Sequence, residues 1–143
     1  MTPSLRQLGE NALQKGYERI LYSRVTQGQS KGAFSVWGMK EKLSFTDDAV
    51  RTDKTSQTSE GSDSIWLTAY VVKCLAKIKG SISVESKYIL EGLEFLKNKQ
   101  NPDGSFKEYG EVTHPLIQTR SFLGIPLTAF TTIAFMEDKD YNE

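Results

Sequence analysis

One cysteine and one histidine are all that this chain of 143 residues holds. Cys74 alone excludes an internal disulfide and a cysteine-rich zinc site, though a single thiol does not fix the redox compartment. His114 has no second ligand at a usable spacing and no visible base or nucleophile partner, so neither a metal nor a cofactor is expected. Charge of one sign is lacking too, since 18 basic side chains balance 18 acidic ones. A phosphate-binding domain shows a basic surplus or stripe, so nucleic acid is not an expected partner. Apolar runs are broken by Lys, Thr or Gly well short of the ~20 residues that a membrane span needs, and the N-terminus has no apolar leader core. Membrane insertion and an export signal within the chain are therefore not expected.

What is present is the composition of a globular protein, 38% apolar and 25% charged. A chain this long folds as one domain that buries roughly 70% of its unfolded surface. In "TPSLRQLGENALQKGYERILYSR", Thr2 can cap and Pro3 can open a helix whose Leu5, Leu8, Ala12, Leu13, Gly16, Tyr17 and Ile20 share one face. Residues 26–38 read as a Gly-punctuated turn and a short extended piece with Phe34 and Trp37. Residues 39–63 are rich in Ser, Thr, Asp and Lys without apolar period, which predicts a mobile polar insertion. Ser64 then caps the apolar helix "IWLTAYVVKCLAKIKG", with Gly80 as its C′ residue. Cys74 lies inside that helix and reads as a small buried hydrophobe. Ser83 is the expected cap of the next helix, with Val84, Tyr88, Ile89, Leu93 and Leu96 inward. A Pro-Asp-Gly turn follows, and the last helix runs through "IPLTAFTTIAFMED".

A unit recurs along this order. "SIWLTAYVVKCLA" answers to "GIPLTAFTTIAFM", with Leu67 and Leu127 60 residues apart, and "TQGQSKGAF" answers to "KQNPDGSF", with Phe34 and Phe106 72 apart. The unequal spacings place the length difference in the loops, as expected when helices are the repeating object. Each unit pairs an outer amphipathic helix with a more apolar inner one that cannot bury both faces unaided. Stacked hairpins solve this, as an open solenoid or as part of a closed α/α ring. The fold class is all-α. Expressed alone, such a chain leaves apolar faces open and is expected to associate.

The segments "SIWLTAYVVKCLA", "QNPDGSFKEYGEVTH" and "IPLTAFTTIAF", with "ALQKGYERI" before them, resemble in order the thioester domain of the complement and α2-macroglobulin proteins, with the invertebrate thioester-containing proteins nearest. The resemblance spans 1–143 apart from 39–63 and implies part of an α/α toroid of six hairpins in a secreted protein of innate immunity. Such proteins are opsonins or protease-trapping inhibitors, and their partners are microbial surfaces, proteases, receptor proteins and the remainder of the parent chain. In some members a histidine after the "DGSF"-type turn attacks the internal thioester, and His114 matches it.

The chain departs from the family pattern in three places. It holds no Gly-Cys-Gly-Glu-Gln, so the thioester is expected upstream of Met1. The Gly-Gly that often follows the histidine region is absent, with Pro115 directly after His114. The insertion at 39–63 is also long. These departures leave open a non-covalent interaction module that has lost the thioester, with Trp37, Tyr109 and Phe122 as candidate anchors. A terpene-cyclase or prenyltransferase-like enzyme is a weaker reading, because no Asp-x-Asp-Asp cluster or zinc set is present. The chain alone is not expected to be an enzyme.

Overall fold

The computed structural model describes residues 2–35, 63–108 and 124–139. The insertion read at 39–63 therefore lies outside the described residues except for Asp63, as do Trp37, Tyr109, His114 and Phe122. Among the described residues there are four helices: α1 (Leu5–Leu21), α2 (Ile65–Ile78), α3 (Ser86–Asn98) and α4 (Ile125–Glu137). Arg24 with Phe34 and Ser35 with Asp63 form isolated antiparallel bridges rather than strands.

Three helix ends differ from the sequence expectation. Ser4, not Thr2, caps α1: its hydroxyl accepts from Gln7 N–H at 3.3 Å while its own N–H donates to Gln7 Oε1 at 3.1 Å. Only Ser4 has a Gln three residues on, so only Ser4 closes the reciprocal box. Ser83 does not cap α3. Burial of Val84 carries the chain past Ser83 in extended form, and the Glu85 N–H at the helix start donates to the Tyr17 hydroxyl at 3.2 Å. Gly80 is not among the glycines with positive φ, and α2 ends instead in turn bonds from Ser81 and Ile82 N–H to the Ile78 carbonyl, at 2.8 and 3.0 Å. Ser64 caps α2 as expected, its hydroxyl accepting from Leu67 N–H at 3.1 Å.

α2 is the centre of the assembly, packing on α3 and on α4. One buried cluster joins Tyr17, Phe34, Val71, Val72, Leu75, Ile89 and Leu93; a second joins Ile65, Ala69, Phe95, Leu96, Phe106, Leu127 and Ala134. Approach of α3 to α2 requires Gly92, where a Cβ would stand 2.5 Å from Val72 Cγ2. Trp66 near the start of α2 stacks on Phe130 at the middle of α4, and Lys77 pairs with Glu137 at 3.9 Å near the ends of both, so the two helices run parallel. The turn after α1 is tied to α3 by the half-buried pair Arg24–Glu91, with the guanidinium 4.4 Å from the Tyr88 ring centre.

Among the described residues, two apolar faces are left exposed. On α4, Ile125 is 86% and Met136 70% exposed, and Ala129, Thr132 and Ile133 lie open along the same stripe. On α1 the face expected to turn inward does so only at its C-terminal end, where Tyr17 is buried; Leu5 and Leu8 are exposed. Periodicity marks a face as apolar but does not supply its cover. The isolated chain is expected to self-associate through these stripes, and sedimentation velocity checks this: Ile133→Lys with Met136→Lys should shift the population toward monomer. An isolated wild-type chain that sediments as monomer at tens of micromolar, a range about where weak contacts of this kind form, would count against it.

Candidate functional site

The two sequence repeats are joined to their helices by the same bond. In the first, Gly28 and Gly32 take positive φ, Val25 N–H donates to the Ala33 carbonyl at 2.8 Å, and the chain leaves the turn at Phe34. The Phe34 N–H then donates to Thr68 Oγ1 at 3.0 Å. In the second, Asn101 N–H donates to the Ser105 carbonyl at 2.8 Å around Gly104, whose φ is 86°. The Phe106 N–H donates to Thr128 Oγ1 at 2.9 Å. The threonine of each Leu-Thr-Ala is thus the acceptor for the phenylalanine that ends each glycine turn.

The second turn is a polar clasp. Asp103 Oδ1 accepts from both the hydroxyl and the N–H of Ser105, at 2.6 and 3.0 Å, and Gln100 Nε2 donates to the Gly104 carbonyl at 2.9 Å. The Ser105 hydroxyl, and next its N–H, hold the Asp103 carboxyl below the usual carboxylate range by bonding to its charged form. Phe106, 2% exposed, lies 6.5 Å from the Phe135 ring.

Two residues further along, Glu108 reaches the start of α2. Its Oε1 accepts from Ile65 N–H at 3.0 Å, and its Oε2 accepts from Trp66 N–H at 2.8 Å and from the Ser64 hydroxyl at 2.9 Å. With Ser64 receiving Leu67 N–H, the first three donors of α2 are all satisfied. A negative charge here also complements the positive end of the helix. Sequence reasoning missed Glu108, because its partners lie 42 to 44 residues away and no local spacing announces them.

The remaining candidates are placed as follows. His114 lies outside the described residues, six positions after Glu108. Cys74 is a free thiol and is half-buried rather than fully buried, because its position on α2 lies at the edge of the helix contacts. Trp66, not singled out from the sequence as an anchor, stacks between Tyr70 at 5.5 Å and Phe130 at 5.8 Å. Among the described residues no three of His, Cys, Asp and Glu come together as a metal would require. No described helix is long and apolar enough to cross a membrane.

Compared with known protein families, residues 1–143 match the model of the A-macroglobulin TED domain, end to end. The chain belongs to that family. The described helices are accordingly part of the TED domain's α/α toroid, with α2 packed against both α4 and α3. Complement C3 of Lethenteron camtschaticum is 36% identical over 84 residues, which is 54% of this chain and 5% of that relative. The TED-domain chain therefore matches a small part of the relative's length, and its order of turn, Phe and Leu-Thr-Ala helix is the architecture just described.

Proposed function

We propose that this TED-domain chain serves a secreted, complement-like protein that tags microbial surfaces or proteases covalently, as an opsonin or a protease-trapping inhibitor. The match over residues 1–143 carries the reading. It is supported by the ordered Asp-Gly turn and by Glu108, which is bound to the start of α2 and precedes His114 by six residues in the sequence.

In this reading an imidazole nitrogen of His114 attacks the carbonyl of a thioester held elsewhere in the parent chain. A C–N bond forms, the C–S bond breaks, and the thiolate leaves. A target hydroxyl then attacks the acylimidazole, its oxygen forming the ester bond as the C–N bond breaks and its proton passing to the thiolate. Neutral imidazole, with an ordinary pKa of ~6.5, is available for this at neutral pH. The chain adds a label once per thioester and does not turn over. Receptor proteins and the rest of the parent chain are its non-covalent partners.

The test is labelled methylamine uptake by the native protein captured from extracellular fluid, followed by glycerol uptake in the His114→Ala variant. Incorporation of methylamine at a Cys-Gln pair establishes the thioester, and loss of glycerol transfer by about 100-fold or more is the scale of a lost nucleophile or base. A large parent that takes up no label would instead favour non-covalent docking, the reading to which Pro115 and the missing Gly-Gly point.

A further inference from the structure

We propose that this chain binds a second copy of itself head to tail, the exposed face of α1 in one copy covering the exposed stripe of α4 in the next. The contact is independent of acyl transfer and is built from α1 and α4 alone.

The internal repeat says what kind of element covers α4. Ile65, Ala69, Val72 and Ala76 of α2 correspond to Ile125, Ala129, Thr132 and Met136 of α4, each pair 60 residues apart. On α2 this stripe is an interface. Ile65 is 2% exposed, Ala69 and Val72 are fully buried, and they pack against α3 and Phe106. On α4 the same positions are open, with Ile125 and Met136 the most exposed. The stripe on α4 therefore continues, one repeat further along, the interface that α3 makes on α2. What fits it is a helix of the α3 type.

α1 is such a helix. Its Leu13, Gly16, Tyr17 and Ile20 stand in the places of Ile89, Gly92, Leu93 and Leu96 of α3, each pair 76 residues apart. In α3 all four are buried, and Gly92 admits the close approach in which a Cβ would stand 2.5 Å from Val72 Cγ2. In α1 only Tyr17 is buried; Leu8 is 50% and Leu13 36% exposed, and a Cβ on Gly16 would meet nothing within 4 Å. A glycine weakens an exposed helix, and within one copy Gly16 has no packing role. Against a neighbour it grants the approach that Gly92 grants α3. Laid on α4 in the register of α3 on α2, α1 puts Gly16 against Thr132, the residue in the place of Val72. Neither face carries a charge at these positions, so no ion loses its water in the contact.

Because the two faces differ, the contact is heterologous. A copy that has given its α1 face still has its α4 stripe free, so association continues to a ring or an open series. A symmetric pairing of α4 stripes would stop at the dimer.

The experiment uses the 143-residue chain in two complementary variants, each with one face spoiled at exposed positions. Leu8→Lys with Leu13→Lys spoils α1, and Ile133→Lys with Met136→Lys spoils α4; far-UV circular dichroism checks that each keeps its helices. Sedimentation velocity is expected to show the wild type as concentration-dependent species beyond the dimer and each variant alone as monomer. An equimolar mixture of the two variants should form a dimer that does not grow, since one intact α1 face meets one intact α4 stripe. Gly16→Leu, which has open space within a single copy, is expected to weaken wild-type association about tenfold or more while leaving the thermal stability of the fold intact. Where the lysines unfold α1, Gly16→Leu takes their place in the mixture. A monomeric wild type overturns the proposal, and so does a mixture that stays monomeric. If the α1 variant dimerises alone, the α4 stripes pair with each other and the head-to-tail contact falls; if the α4 variant does so, the α1 faces pair and it falls likewise.

Discussion

Gly32→Ala should cost this fold several times what Gly28→Ala costs, although both glycines sit in the same turn at positive φ, +91° and +80°. At Gly28 an added Cβ meets nothing within 4 Å, so the penalty there is conformational alone, about 1–2 kcal/mol. At Gly32 the same methyl would lie 2.1 Å from the carbonyl oxygen of Glu91 and 2.6 Å from its carbon. Those are backbone atoms in the middle of α3 and cannot swing aside as a side-chain tip can. Moving them would pull on Glu91, which holds Arg24, and on the contact of Gly92 with Val72. The turn cannot retreat either, because Gly32 N–H is bonded to the Val25 carbonyl at 2.9 Å. Strain of about 1–3 kcal/mol from the backbone and a similar amount or more from overpacking accumulate at one site. Against a total stability of about 5–15 kcal/mol for a domain, this is a large fraction. Thermal denaturation followed by far-UV circular dichroism, on the Ile133→Lys, Met136→Lys background to limit association, measures both variants. Equal losses for Gly28→Ala and Gly32→Ala would mean that the approach of turn to α3 is looser than the geometry states.

The sequence made the helices legible because each carries its own period, and Ser64 was legible because a cap and an apolar run stand side by side. Thr2 and Ser83 were misread by the same rule. Any hydroxyl before an apolar run qualifies, and the selection among candidates came from Gln7 in one case and from Val84 and Tyr17 in the other. The bare stripes on α1 and α4 follow from the same limit, since a pattern records that a face is apolar but not what lies opposite. For the site, the repeat of Leu-Thr-Ala and turn-Phe could be read at a glance, yet nothing in it said that the threonine binds the phenylalanine's N–H. Glu108 was illegible for a plainer reason: its partners are close in space and far in sequence. His114 became a candidate only through the family resemblance, because a lone imidazole in a polar stretch has no local signature of chemistry.

The paired threonine bonds make the repeat itself testable. Thr68→Val keeps the shape of the side chain and removes the acceptor for Phe34 N–H, in a place where Thr68 and Phe34 are both fully buried. Water cannot replace the lost partner there, so the variant should lose about 2 kcal/mol, within the range of about 1–3 for a stranded buried donor. Thr128→Val removes the acceptor for Phe106 N–H and also the bond from the Thr128 hydroxyl to the Gly124 carbonyl at 3.0 Å. Thr128 is only half-buried, and solvent reaching the site should hold the loss to about 1 kcal/mol. The variant with more bonds removed is therefore expected to be the less destabilised, an ordering set by burial rather than by bond count. Urea titrations of the two single variants and the double variant check this. Phe34 belongs to the first buried cluster and Phe106 to the second, so the losses should add to within about 0.5 kcal/mol. A double variant much less stable than that sum would show that the two repeats fold as one cooperative unit through α2, which touches both clusters.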